Sequence, residues 1–291
     1  MTQIDGVGIV ADVLLSNGRF QAMDNPAGFI GNIPQHYDQG LGPIIFADFA
    51  EDMAHRVAAY EPRRVLETAA GTGIVTRSLR DHLPAEARLV ATDLNPPMLD
   101  VARRKFRSGE AVEFEPADAM ALPFEAASFD VVVCQFGVMF YPDKDKAYRE
   151  VYRVLAPGGR YLFSVWDSHK YNPFGRIAHE LVGRAFPVDP PQFQKVPFSY
   201  PFDSIKASVI EAGFADINAA VLKREKILPD TESFARALVY GSPIIDQVQA
   251  RGGVDAEQIV ESLASEFRGE FGVDPGRMPL QAIFFSARKP S

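Results

Sequence analysis

Between residues 64 and 166 the chain keeps changing its hydrophobic period, from short near-continuous aliphatic runs to stretches with a helical rhythm. Val65-Leu66 opens a first strand, Thr76 to His82 fits a helix, and Arg88-Leu89-Val90-Ala91-Thr92 fits a second strand ending at Asp93. Pro96 and Pro97 suit a helix start, where backbone amides lack intrahelical partners anyway, and that helix runs to about Phe106. Val112-Glu113-Phe114 reads as a third short strand and Phe129 to Gln135 as a fourth. Asp143 to Leu155 then reads as a helix ended by Pro157-Gly158-Gly159, and Arg160 to Trp166 as a fifth strand. Aliphatic strands without alternation, separated by helices, predict the α/β class: a mostly parallel sheet covered by helices on both faces.

Upstream, residues 44–58 carry Phe46, Phe49, Ala50, Met53 and Val57 at helical spacing, whereas the first 30 residues predict no long element. After Asp167 the rhythm breaks. Residues 168–202 hold six prolines and several aromatics around one helix, Phe174 to Gly183. Asp203 to Ala212 returns to helix, Ile217 to Val221 to strand, Thr231 to Tyr240 and Asp255 to Phe271 to helix, and Leu280 to Ala287 forms the last strand. The expected organisation is an N-terminal helical cap over 1–60, a ligand-binding core over 61–167 and a lid insertion over 168–202. Residues 203–291 return to the core sheet, with a helical insertion at 230–272.

A chain of 291 residues with 47% apolar and 23% charged residues can bury one large core with a modest accessory lobe. The net charge of -8 and pI near 5.2 weigh against a nucleic-acid partner, which would call for clustered Lys and Arg. Arg103, Arg104, Lys105 and Arg107 form one basic knot, read as charge complement to a helix C-terminus, with phosphate binding as the alternative. The single cysteine, Cys134, excludes an internal disulfide framework and points to a reducing compartment, the cytoplasm by default. No basic leader is visible and no run of 18 apolar residues exists, so no membrane span is expected.

The chemistry concentrates at strand ends. In an open parallel sheet, ligands sit beyond the carboxyl ends of the strands, where strand order reverses. Glu67, Asp93 and Asp118 follow the first three strands. Gly71 and Gly73 permit a sharp turn with no side chain between backbone and ligand, and the helix beyond offers unpaired amides. Asp93 is placed to accept from two vicinal ribose hydroxyls. Asp118, with Ala119 beside it, suits an adenine-like edge. A dinucleotide fingerprint would want a third glycine where Thr76 stands, and Glu67 repels a pyrophosphate but suits a cationic ligand.

These pieces are Val65-Leu-Glu-Thr-Ala-Ala-Gly-Thr-Gly73, Ala91-Thr-Asp-Leu-Asn-Pro-Pro-Met98, Ala117-Asp-Ala-Met-Ala-Leu-Pro-Phe124, Phe129-Asp-Val-Val-Val-Cys-Gln-Phe-Gly137 and Glu150-Val-Tyr-Arg-Val-Leu-Ala-Pro-Gly-Gly-Arg160. In that order and spacing the chain resembles the class I S-adenosylmethionine-dependent methyltransferases, and among them the ubiquinone/menaquinone-biosynthesis-like small-molecule group. The resemblance covers about residues 60–167. It implies a Rossmann-like doubly wound seven-stranded sheet with an α-helical accessory lid, S-adenosylmethionine as methyl donor and S-adenosylhomocysteine as product. Glu67, Ala69, Gly71 and Gly73 would surround the methionine part. Asp93 would hold the ribose, Leu94 would pack against the adenine, Asp118 and Ala119 would read the adenine edge, and Gln135 would close the pocket beneath the sulfonium, with Met98 also among the cofactor-binding residues. The family often has glycine where Ala69 stands. Tyr37 resembles an N-terminal tyrosine that folds over the cofactor.

Methyl transfer from a sulfonium is an in-line displacement with a neutral leaving group, so alignment and water exclusion carry most of it. His169, just past the fifth strand, and His36, beside Tyr37, are the candidate bases. The five histidines, His36, His55, His82, His169 and His179, show no H-x-x-x-H or Cys pairing, so no metal site is expected. Phe136, Met139, Phe140, Trp166, Phe174, Phe186 and Phe198 are expected to roof an apolar pocket for a small, largely apolar or aromatic acceptor. An RNA- or protein-modifying methyltransferase and a non-catalytic cofactor-binding protein are the alternatives, and a monomer or homodimer is the expected state.

Overall fold

The computed structural model describes residues 27–273 and 275–291; the reading of the first 30 residues therefore falls almost wholly outside the described ones. Seven strands form one sheet: β1 (Arg64–Glu67), β2 (Arg88–Asp93), β3 (Glu113–Pro116), β4 (Phe129–Gln135), β5 (Leu155–Trp166), β6 (Ala215–Leu228) and β7 (Gly276–Arg288). Their order is β3-β2-β1-β4-β5-β7-β6, with β1 to β5 parallel and β7 antiparallel to both neighbours. The helices are α1 (Ile33–His36), α2 (Ala47–Ala58), α3 (Ile74–His82), α4 (Pro96–Arg103), α5 (Lys144–Val154), α6 (Pro173–Ala185), α7 (Phe202–Glu211), α8 (Thr231–Tyr240), α9 (Ile244–Arg251) and α10 (Ala256–Phe271). Among the described residues no helix is long and apolar enough to cross a membrane.

The absence of alternation in the central strands has a direct cause. Successive strand side chains point to opposite faces, and both faces are covered. Val65, Val131, Val133 and Leu162 enter a core under α2 and α3, while Leu66, Val132, Cys134 and Phe163 enter a larger core on the other face. At roughly 25 cal/mol per Å² of apolar area removed from water, fully buried strand residues supply the main stabilisation of the sheet.

Three departures from the sequence reading have physical reasons. The helix read over 44–58 begins as α2 at Ala47, because the chain from Tyr37 to Phe46 is wound more widely, with the Ala47 amide reaching back to the Gly42 carbonyl. Pro43 inside that segment has no amide to give to an ordinary helical bond, and wide turns of this kind occur often at functional sites. The strand read over 217–221 extends across Ala215–Leu228, because the charges of Lys223 to Lys226 lie on an edge strand. There Arg224 pairs with Asp52 and Lys226 with Asp48, both on α2. The helix α9, opened by Pro243, lies within the helical insertion expected over 230–272 but was not read as an element of its own.

The segment after β5 is pinned by one buried amide. Asn172, just before α6, donates to the carbonyls of Asp167 and Gln281 (both 2.9 Å) and accepts from the Gln281 amide (2.9 Å). This ties the segment after β5 to the end of β5 and to the middle of β7. Phe174 and Phe267 both pack against Phe234, joining α6, α8 and α10 into a roof over the strand ends.

Candidate active site

The strand order reverses between β1 and β4, and the residues after β1, β2 and β4 face one another there. The turn after β1 depends on left-handed backbone: φ is +52° at Ala69, +57° at Gly71 and +75° at Gly73. A Cβ on Gly73 would come within 2.8 Å of Ala102, so its absence lets α4 pack against the start of α3. Asp93 joins this turn to the next. Its Oδ2 accepts from the Gly71 amide and its Oδ1 from the Asn95 amide, both at 2.8 Å. Burial raises the Asp93 carboxyl above its ordinary range, and those two amides oppose the rise.

Glu67 is buried at the floor. Thr76 donates to its Oε2 at 2.6 Å, yet burial outweighs that bond and pushes its pKa up to about 8, with Asp93 adding to the rise. Gln135 donates to the Phe46 carbonyl at 3.3 Å, and its buried Oε1 has no partner. A buried acceptor left unpaired costs free energy, so it marks a place where a donor belongs. Asp118 accepts from the Met120 amide at 2.8 Å, which folds the loop after β3 into the wall.

These groups enclose a cleft of about 740 Å³, open to solvent, lined among others by Tyr37, Ala69, Gly71, Asp93, Leu94, Met98, Asp118, Ala119 and Gln135. A smaller recess of about 300 Å³ continues past Ala69, Gly71 and Gln135 to Glu67 and Thr72. Among the described residues no Lys, Arg or His lines either space. The field therefore favours a cation and disfavours a pyrophosphate. Gly73 stands behind the wall as the start of α3 and lines neither space.

A second chamber of about 500 Å³ adjoins the cleft and shares Phe29, Tyr37, Phe136 and Phe140 with it. Its walls are apolar and aromatic: Leu41, Ile45, Phe46, Trp166, Phe174, Phe193 and Phe198, with Gln194 and Ser242 as polar points. Phe136 stacks on Trp166 with ring centroids 4.1 Å apart, and Tyr37 stacks on Phe46 at 4.9 Å. Phe136 holds φ at +54°, a costly conformation for a bulky residue, where the two chambers meet. Tyr37 is a common wall of cleft, recess and chamber. Burial, then the nearby Asp93 and Asp38, keep its phenol neutral at any ordinary pH.

Of the aromatics expected to form the apolar pocket, Phe136, Phe140, Trp166, Phe174 and Phe198 line the chamber, while Met139 and Phe186 lie in the surrounding core. Phe193, Gln194 and the wide-wound Leu41 to Phe46 segment are additions without an isolated sequence signal. The two histidines stand apart from both spaces. His169 Nε2 lies 3.0 Å from the Gln194 carbonyl, to which it donates, and its ring rests on Phe198; burial lowers its pKa, so the ring stays neutral. His36 is exposed and packs against Tyr240. Neither is among the chamber-lining residues.

Residues 66–163 match a methyltransferase domain family. A demethylmenaquinone methyltransferase of Thermus thermophilus is 41% identical over 127 residues, 43% of this chain and 57% of that protein. A ubiquinone/menaquinone biosynthesis C-methyltransferase of Cronobacter sakazakii is 31% identical over 170 residues, 54% of this chain and 68% of that protein. Against several curated relatives the chain spans only about half of their length. Among solved structures, a phosphoethanolamine N-methyltransferase 2 of Haemonchus contortus shares the fold at TM-score 0.58 and 19% identity, over 92% of this chain and 61% of that one.

Proposed function

We propose, for a chain that belongs to the class I S-adenosylmethionine-dependent methyltransferases and is related to their ubiquinone/menaquinone-biosynthesis family, that it methylates a small, largely apolar or aromatic acceptor. The observation that carries this reading is the pair of adjoining chambers, one acidic and one aromatic, which share the Tyr37 and Phe136 wall.

The residues present fit the donor. The orphaned Gln135 Oε1 and the buried Glu67 suit the ammonium of its methionine part, Asp93 the ribose hydroxyls, and Asp118 with Ala119 the adenine edge. When bound, the donor supplies a methyl on a sulfonium whose leaving thioether is neutral. The chain's own contribution is alignment and dryness. Phe136 and Trp166 present flat apolar faces that orient the acceptor, Tyr37 and Phe46 close the wall on the N-terminal side, and the α6–α8–α10 roof excludes water. Tyr37, neutral, can donate a hydrogen bond but is no base. His169, with its Nε2 proton committed to Gln194, and His36, turned to solvent, act as bases only after rearrangement, so the transfer runs on alignment rather than on a protein base.

One chain supplies both chambers, so a monomer suffices and a homodimer is compatible. The buried, free Cys134 suits a reducing cytoplasm. Mass spectrometry of a denatured preparation tests the reading: it should release S-adenosylmethionine or S-adenosylhomocysteine. A different nucleotide in stoichiometric amount would overturn the assignment.

A further inference from the structure

We propose that Glu51, His55 and His82 form a binding site for a zinc-type divalent transition-metal ion at the surface where α2 meets α3. Glu51 and His55 lie one turn apart on α2, and His82 is the last residue of α3. The Glu51 Oε1 atom is 3.2 Å from His55 Nε2 and 3.1 Å from His82 Nε2, and one ligand atom from each of the three residues lies within 4.8 Å of the others. Tetrahedral ligands held about 2.0–2.1 Å from a zinc ion sit about 3.3–3.4 Å from one another. The side chains are therefore already near the spacing an ion imposes, and closure needs only small rotamer adjustments.

The tautomer of His82 points the same way. Its Nδ1 lies 2.8 Å from the Ser78 carbonyl, which can only accept, so Nδ1 carries the proton. Nε2 then faces the Glu51 carboxylate at 3.1 Å, a position where a metal ion can take the place of a ring proton between the two. A backbone carbonyl on the far nitrogen is also the usual device that fixes a metal-binding imidazole. The half-exposed His82 and the exposed Glu51 and His55 leave the remaining coordination positions to water. Two imidazoles and one carboxylate select zinc, nickel, cobalt or copper over magnesium, which prefers an all-oxygen shell.

The ion would serve structure rather than chemistry. The nine residues of α3, at about 1.5 Å each, put His82 roughly 13 Å from the Gly73 end at the cleft. A bridge there fastens α3 to α2, the helix that continues the Tyr37–Phe46 wall.

Calorimetric titration of the chelator-treated full chain with zinc and with magnesium tests this, alongside His55→Asn/His82→Asn, whose exposed or half-exposed positions leave the core intact. One zinc per chain with a dissociation constant below about 100 µM, no magnesium heat, and a Tm rise of several degrees with zinc are expected. At least a tenfold weaker zinc affinity in the double variant, with an unchanged circular dichroism spectrum, completes the expected result. No zinc binding in that range overturns the proposal, as does binding that the double variant retains in full, which would place the ion elsewhere.

Discussion

Replacing Glu67 by glutamine removes a buried acid while keeping its size and its bond to Thr76, and the consequence is worked from burial. The carboxyl is raised from 4.5 to about 8 in the folded protein. The folded state therefore prefers the neutral form, and this contribution to stability is complete below the unfolded value near 4.5. It is lost as pH rises through about 8. At about 1.4 kcal/mol per pH unit the ceiling is about 5 kcal/mol across that window. Glu67→Gln has nothing to titrate there, so its stability relative to the wild type should climb steadily between those limits. Asp93, also raised, is present in both proteins, but its charge contributes to the rise at Glu67, so its titration cancels only in part. The assay is urea unfolding of both proteins without ligand, from pH 5 to pH 8.5. A difference that stays constant within about 0.5 kcal/mol would refute a neutral, buried Glu67, since such a change is within the error of extrapolation. A bound ammonium favours the carboxylate, so binding below pH 8 should release up to one proton in the wild type and none from this position in Glu67→Gln. Calorimetry in two buffers of different ionisation enthalpy reads that release.

Other outcomes follow from single contacts. Asp93→Asn should weaken S-adenosylmethionine binding roughly 10- to 100-fold, the worth of charged hydrogen bonds of about 1.5–3 kcal/mol, with normal binding in calorimetry removing the ribose assignment. Ala69→Gly relieves a left-handed residue and should stabilise the fold by about 1 kcal/mol; a loss of stability would mean that the methyl's packing against Gly137 dominates. At Gly175 a Cβ would land in the Phe198 ring, so Gly175→Ala should push that ring into the aromatic chamber and raise the acceptor KM while leaving donor affinity unchanged. Equal effects on both would argue that the chambers are not separate. His169→Asn should leave the pH–rate profile as it is, whereas loss of one limb would restore His169 as a base.

What could be read from the chain in advance divides along a physical line. The strands β1, β2 and β4 and the residues at their ends were legible because a parallel sheet buried on both faces leaves an uninterrupted aliphatic signature, and because a turn with positive φ needs glycine. Glu67, Asp93 and Asp118 stood out by their positions at strand ends, whereas Gln135 entered only through the resemblance to the methyltransferases. The aromatic chamber was half legible: Phe136 follows β4 and Trp166 ends β5, but Phe193 and Gln194 come from an irregular segment whose place depends on α6 and α8 packing together. Only the end of the wide-wound Tyr37–Phe46 segment, from residue 44, reads as amphipathic helix in sequence, and Gly40, Gly42 and Pro43 before it carry no helical signal. The reading of β6 stopped at Val221 because Lys223 to Lys226 resemble a loop until Asp48 and Asp52 are brought opposite them. Likewise Glu51, His55 and His82 escape a search for paired histidines on one helix, since they meet only across two.

Transfer of labelled methyl from S-adenosylmethionine by the full chain to a panel of phenols, quinols, amines and thiols tests small-molecule methylation most directly. Label should enter a small apolar or aromatic acceptor, with none in RNA or protein. Firm donor binding without transfer to any member of a broad panel, or transfer to macromolecules alone, would contradict it.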